Sequence, residues 1–299
     1  MVSIIIPSYN SANTLPRLIK SLMSQQPKDL KYEIIVVDNG STDQTAERLK
    51  NFPVSYYYEK VPSSYKARNK GARMANGDIF AFVDSDVYVD PKWLRAGIDS
   101  LETAEISLSK IEAQSSEHKT LFLFDSIILN PYRELKFKRD GDGFVGIFFC
   151  KKSVFDSIGG FDESLISGGD TIFGLKAKEL GYRIKFETNA IVYHPVDGFK
   201  KRIAKSYRLA FGGLAKNQFK KKHRDNNVKN NRLFNLLSNQ KRIINDHWIL
   251  IKNKREAYEI SFYKQLLLFI TAIFFQIIGN GAVILNQILN LDKKKIARW

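Results

Sequence analysis

The chain predicts an α/β fold: a mostly parallel sheet flanked by helices, continued by a helical basic and apolar C-terminal extension. Two observations lead there. Short apolar, β-branched runs alternate with segments of helical period through residues 1–90, and a β-α-β-α order is how a parallel sheet with covered faces is written. Each run also stops in polar residues: Ser8, Tyr9 and Asn10, then Asp38 and Asn39, then Asp84 and Asp86. In sheets of this kind ligands bind beyond the carboxyl ends of the strands, so these clusters predict one site on one edge.

Val2–Pro7 is a short apolar, β-branched run, as a buried parallel strand would be. Ser11–Gln25 follows as a helix, with Leu15, Leu18, Ile19 and Leu22 on one stripe. Glu33–Asp38 repeats the strand pattern, and Ser41–Asn51 reads as a second helix capped by Thr42 or Ser41. Tyr65–Ala75 is a third helix and Ile79–Asp84 a further strand. Asp99–Arg139 has no clean period and is open to a strand pair with a connecting loop. Gly143–Cys150 is strand-like, Lys151–Gly160 a short helix, and Asp170–Leu180 a helix closed by Gly181 at its C′ position. Arg183–Tyr193 is the last expected strand. The domain reading is 1–198 for the α/β unit, in halves of about 1–98 and 99–198, with 199–299 as the extension.

The extension combines two features. Lys200–Arg224 holds ten Lys or Arg and no Asp or Glu, within a net charge of +16 over 299 residues. Such a block points to an anionic partner. Residues 262–291 carry no charge after Lys264 until Asp292, which is long enough to span, re-enter or lie on a membrane, or to form a buried or oligomer helix. With no signal-peptide pattern at the start, the expected location is the cytoplasmic face of a membrane, held peripherally or by a single C-terminal anchor. The lone Cys150 excludes an internal disulfide framework.

The chemistry sits at the strand ends. Asp84 and Asp86, two apart where a strand stops, can reach one hard cation such as Mg2+. Asp38 can accept from a nucleobase or ribose, or can simply cap the Asn39-Gly40-Ser41 turn. Asp170 follows Gly168-Gly169 at a helix start, where a base can meet its substrate and the helix dipole favours its charged form, although a plain N-cap fits as well. His194 ends a strand and suits a metal ligand or a structural role.

Taken together, five segments resemble the family 2 glycosyltransferases, with their GT-A-type, Rossmann-like nucleotide-sugar fold. They are Val2–Asn10, Glu33–Asp43, Ala67–Gly71 leading to Asn76-Gly77-Asp78, Asp84-Ser85-Asp86 and Gly168-Gly169-Asp170. The resemblance implies a nucleotide-sugar donor and a glycan or lipid-linked acceptor. It places Pro7, Tyr9, Asn10, Asp38, Ser41 and Arg68 around the nucleotide, with Asp84 on its ribose side. It implies Mn2+ or Mg2+ held by Asp84 and Asp86 with help from His194, and Asp170 as general base. The sequence departs from the family's common Glu-Asp pair, since Gly169 stands where the Glu would be, and Ile172 replaces a frequent acid.

Other readings are weaker. Nucleic-acid binding finds no recognised motif and few stacking aromatics in Lys200–Arg224. A nucleotidyltransferase would want a Gly-rich phosphate loop after the first strand, and Pro7-Ser8-Tyr9-Asn10 is not one. A non-catalytic relative on the same fold stays open because of Gly169 and Ile172.

Overall fold

The computed structural model describes residues 1–114, 119–140, 144, 146–205, 232–254, 258 and 260–289. Four strands open the sheet: β1 (Val2–Ser8), β2 (Tyr32–Asp38), β3 (Ser55–Tyr58) and β4 (Ile79–Phe82). Around them run α1 (Leu15–Met23), α2 (Thr45–Leu49) and α3 (Ser64–Met74). The chain continues through β5 (Tyr88–Val89), α4 (Trp93–Ser100), β6 (Ile106–Ala113), α5 (Lys119–Phe124), a π-helical turn at Asp125–Leu129 and α6 (Asn130–Asp140). Then come β7 (Phe148–Lys151), α7 (Lys152–Ile158), α8 (Gly169–Glu179) and β8 (Ile184–His194). Helical residues 199–205 form the described part of α9, followed by α10 (Arg232–Asn253) and α11 (Phe262–Leu289).

The sheet has eight strands in the order β3-β2-β1-β4-β7-β6-β8-β5. Parallel ladders join β1 to β2 and β4, β2 to β3, and β6 to β8; β7 and β5 run antiparallel to their neighbours. Every residue of β1 is buried, because both faces are covered. Successive side chains alternate between faces. Ile4 and Ile6 join Leu15, Leu18, Ile19 and Leu22 of α1 in one core, while Ile5 faces the other. That second core is aromatic: Phe80, Phe82, Phe144, Phe148, Phe155, Phe161 and Phe173 pack between the sheet and α3, α7 and α8. Gly71 lets α3 lie flat on the sheet, since a Cβ there would come within 2.5 Å of the Ile5 side chain.

Several expectations need correction. The second helix is a single short piece, Thr45–Leu49, and Ser41 and Thr42 do not cap it; both are drawn instead into bonds with Asn10. The strand ending in Asp84 stops at Phe82, and the one ending in Cys150 begins at Phe148 rather than Gly143, which lies outside the described residues. Among the described residues of Asp99–Arg139 there is one strand, not a pair, followed by helical structure. β3 and β5 have no counterpart in the sequence reading. Gly181 does take the left-handed conformation expected after α8, with φ +80.

The extension is helical where described, and α11 is one continuous helix over Phe262–Leu289 rather than a hairpin. Among the described residues no helix is long and apolar enough to cross a membrane. Phe124, Ile127 and Ile128 from α5 and the π turn pack with Ile251 of α10 and Leu268 and Ala272 of α11. Of the basic block, only 200–205 falls in the described residues.

Candidate active site

The loops after β1 and β2 are built as one unit. Asn10 adopts φ 48, a left-handed conformation that asparagine tolerates better than most side chains. Its N–H donates to Ser41 Oγ at 2.9 Å, and its Oδ1 accepts the Thr42 N–H at 2.8 Å. Asp38, buried at the end of β2, accepts the Ser41 N–H on Oδ1 at 2.8 Å and the Tyr56 hydroxyl on Oδ2 at 2.7 Å. A carboxylate offers about four lone-pair sites, so Asp38 keeps capacity for a ligand. Burial and then the bond to Asp38 hold the Tyr56 hydroxyl above its ordinary pKa, leaving it a firm donor. Pro7 is buried two residues past the last β1–β4 pair, and Tyr9 stands out from the same loop, 61% exposed.

Asp84, just past β4, is held from beneath. The buried Arg68 of α3 donates from Nη2 to Asp84 Oδ1, at 2.5 Å. Gly146 leaves the room for this pair, because a Cβ there would come within 2.6 Å of the guanidinium. Arg68 is thus committed to Asp84. Asp86 is half-buried and has no hydrogen bond or ion pair among the described residues, and the second oxygen of Asp84 is likewise free there. The Ser85 and Ser11 hydroxyls meet at 2.7 Å and tie this loop to the one after β1.

Asp170 occupies the first turn of α8, behind Gly168, the N-cap at φ +80. Its Oδ1 accepts the Thr171 N–H at 2.9 Å. Burial raises its carboxyl above the usual range; the Thr171 N–H and Arg68 pull it back, while Asp84 adds to the rise. The base candidate therefore lies in the field of the Arg68–Asp84 pair. Gly169 has a steric reason: its N–H donates to Tyr65 Oη at 2.8 Å, and a Cβ would stand 2.8 Å from the Tyr65 ring. No larger residue fits here with Tyr65 in place. Ile172 is buried in the interior and offers nothing to an acceptor.

His194 is only partly gathered in. Tyr88 pairs with Tyr193 in antiparallel register, which brings the His194 backbone next to the Asp86 loop. The ring, however, donates from Nδ1 to Pro195 O at 2.7 Å and lines a separate cavity. No group of three or more His, Cys, Asp or Glu able to hold a metal occurs among the described residues, so Asp84, Asp86 and His194 do not form a preassembled cluster.

Sequence reasoning missed Tyr56, Tyr65 and Gly146, whose roles come from contacts far apart in the chain. It also gave no role to Asn69, which bonds both N–H and C=O of Phe161 at 2.9 Å and pins the loop before α8 to α3. Cys150 is buried in β7 and burial pushes its thiol well up, which leaves it inert.

A family model described as Glycosyl transferase family 2 matches residues 3–158. Glycosyltransferase AglE of Haloferax volcanii is 31% identical over 222 residues, covering 71% of this chain and 73% of that protein. The pre-mycofactocin glycosyltransferase of Mycobacterium tuberculosis is 28% identical over 207 residues, 64% of this chain but 42% of that one, so this chain spans less than half of that relative. Among solved structures, mannosyltransferase PcManGT from Pyrobaculum calidifontis, in complex with GDP-Man and Mn2+, superposes with TM-score 0.60 at 18% identity, over 96% of this chain and 86% of that one. S. aureus TarS 1–349 in complex with UDP gives TM-score 0.50 at 18% identity, over 91% and 80%. These structures establish the GT-A fold. With the family match spanning more than half the chain and the Haloferax relative more than two thirds of it, the chain belongs to glycosyltransferase family 2.

Proposed function

We propose that this glycosyltransferase is metal-dependent and inverting, moving a sugar from a UDP- or GDP-linked donor to an acceptor hydroxyl on a glycan or lipid-linked glycan. The carrying observation is that Asp170 lies within the electrostatic reach of the Arg68–Asp84 pair, so a base candidate and a donor-side carboxylate act on one another's charge. Asp38 takes the nucleoside through its spare lone pairs, the exposed Tyr9 lines the nucleotide, and Arg68 acts by orienting Asp84. Asp170 accepts the acceptor's hydroxyl proton as that oxygen bonds to the anomeric carbon. The bond from that carbon to the diphosphate breaks on the opposite face, its electron pair leaves with the nucleoside diphosphate, and the configuration inverts.

The carboxylates suit a hard divalent cation, since Asp86 and the second oxygen of Asp84 are oxygen donors without protein partners among the described residues. Mn2+ or Mg2+ held there supplies positive charge against the departing diphosphate. His194, whose Nδ1 is taken by the Pro195 carbonyl, could join them only if its ring left the separate cavity it lines.

The enzyme works at a membrane surface in this reading, with α11 lying along the lipid through its exposed Tyr263, Leu266, Ile270, Phe274 and Ile277. Calorimetry with UDP and GDP in Mn2+ tests the donor half. One nucleotide binds wild type, and Asp38→Ala weakens it at least tenfold, since a hydrogen bond to a charged group contributes about 1.5–3 kcal/mol and about 1.4 kcal/mol is tenfold. Binding of neither nucleotide contradicts the reading.

A further inference from the structure

Beside the active site lies a second, differently built pocket of about 110 Å³, at the carboxyl ends of β6 and β8. Its charged lining is Asp125, Arg133, Asp197, Arg202 and Lys205, with His194 at one wall. Most of these charges answer one another. Arg202 is buried and gives Asp125 a two-pronged bond at 2.8 and 2.9 Å, with Phe124 beneath its guanidinium. Asp197 accepts Lys201 at 2.8 Å and Lys205 at 3.1 Å. Burial pushes the Asp197 carboxyl up, but the Lys205 and Lys201 ammonium groups outweigh it and leave the group well below the usual range.

Arg133 is the exception. The residue is half-buried, and its one hydrogen bond among the described residues is from Nη1 to Asn130 Oδ1 at 3.2 Å. No carboxylate lies within ion-pair distance of it among those residues, although Asp125, Asp170 and Asp197 are near enough to act on its charge. A partly desolvated cation without a carboxylate in ion-pair contact is costly, and a guanidinium matches the oxygens of a phosphate in a two-pronged bond. Asp125 opens a π-helical turn, a local departure from α-helix that is frequent at functional sites.

The pocket also adjoins an apolar surface. One turn before Arg202 on α9, Phe199 is exposed and stacks on Phe274 of α11 with ring centroids 5.6 Å apart. Phe274 belongs to the exposed stripe Tyr263, Leu266, Ile270, Phe274 and Ile277. An anion seat and an apolar track therefore share α9.

We propose that this pocket is the seat for the phosphate of an amphiphilic acceptor, whose hydrocarbon chain runs along the Phe199–Phe274 face of α11. The inference rests on the transferase reading and narrows its acceptor to a phosphate-bearing lipid-linked glycan. Arg133 supplies the open charge, Lys205 stands at the same wall, and the Arg202–Asp125 pair holds α9 against the π turn.

The test is calorimetry on the full chain in neutral detergent, with a ten-carbon prenyl phosphate, the matching prenyl alcohol and inorganic phosphate as probes, beside UDP and GDP in Mn2+. The prenyl phosphate binds at least tenfold more tightly than either the alcohol or inorganic phosphate. Arg133→Gln removes that preference, Arg133→Lys keeps part of it, Lys205→Gln loses a few-fold, and nucleotide binding is unchanged in all three. Equal binding of prenyl phosphate to wild type and Arg133→Gln overturns the proposal. So does a loss confined to nucleotide binding, which would give the seat to the donor, or inorganic phosphate binding as tightly as the prenyl ester. Failure of nucleotide binding in wild type strikes the transferase reading instead, and is read separately in the same cell.

Discussion

Burial raises the Asp170 carboxyl, and its effects on stability and on turnover have opposite signs. A folded-state pKa above the unfolded value of about 3.9 means that the native state holds the proton longer. That contribution to stability is complete below the unfolded pKa and is lost as pH rises through the folded one. At neutral pH the ionised carboxylate is therefore a cost to the fold and a requirement of the chemistry. Asp170→Asn is expected to raise the melting temperature slightly while cutting kcat by about 10²–10⁴-fold, with donor affinity retained; a variant that loses stability and donor affinity together would make Asp170 structural. Wild-type turnover should fall on the acid side at a higher pH than a free aspartate would impose. The candidate-site residues legible in the sequence are those, like Asp38, Asp84 and Asp86, that end an apolar run. Arg133 was not legible, because in a polar helix such as Asn130–Asp140 it looks like any solvated arginine.

Between elements, the contact of α8 on α3 explains the family departure at Gly169. The Tyr65 ring fills the space a side chain would take, and its hydroxyl oxygen accepts the Gly169 N–H. Gly169→Ala is expected to destabilise by about 1–3 kcal/mol, the usual cost of overpacking, read as a drop in denaturant midpoint. Combined with Tyr65→Ala, the two losses should fall short of their sum, because the clash is gone; strict additivity would refute the contact. Elements with a period of their own, such as β1, β2, α1 and α3, could be read locally. Asp99–Arg139 could not. Its run of Leu121, Phe122, Leu123, Phe124 and Ile127, Ile128 resembles strand, yet Phe124, Ile127 and Ile128 are buried against α10 and α11, with Leu121 and Leu123 partly covered there, and such distant partners are invisible in the local pattern. A π turn just before Asn130-Pro131 disturbs the helical period further. β5, two residues long, and β3, whose tyrosines are mostly exposed, carry too little apolar pattern to register.

At the scale of the whole molecule, the basic block behaves differently from a solvated face where it is described. Lys201, Arg202 and Lys205 fold back on Asp197 and Asp125 rather than standing free. The apolar stripe of α11 is then the main candidate for lipid contact in the described residues, and Ile270→Asp, on that stripe, should weaken binding to anionic vesicles several-fold without changing turnover on a soluble acceptor. Unchanged sedimentation with vesicles would remove the stripe from the account. The central claim is sugar transfer at the Asp38, Asp84, Asp86 and Asp170 edge of the sheet, and one measurement addresses it most directly. A panel of nucleotide sugars is incubated with wild type, Asp86→Ala and Asp170→Asn, in Mn2+ or Mg2+ and with chelator, and nucleoside diphosphate release is followed. The account predicts release from one donor by wild type, abolished by chelator and lost in both variants. Release that persists in Asp170→Asn, or no release from any donor, would contradict it.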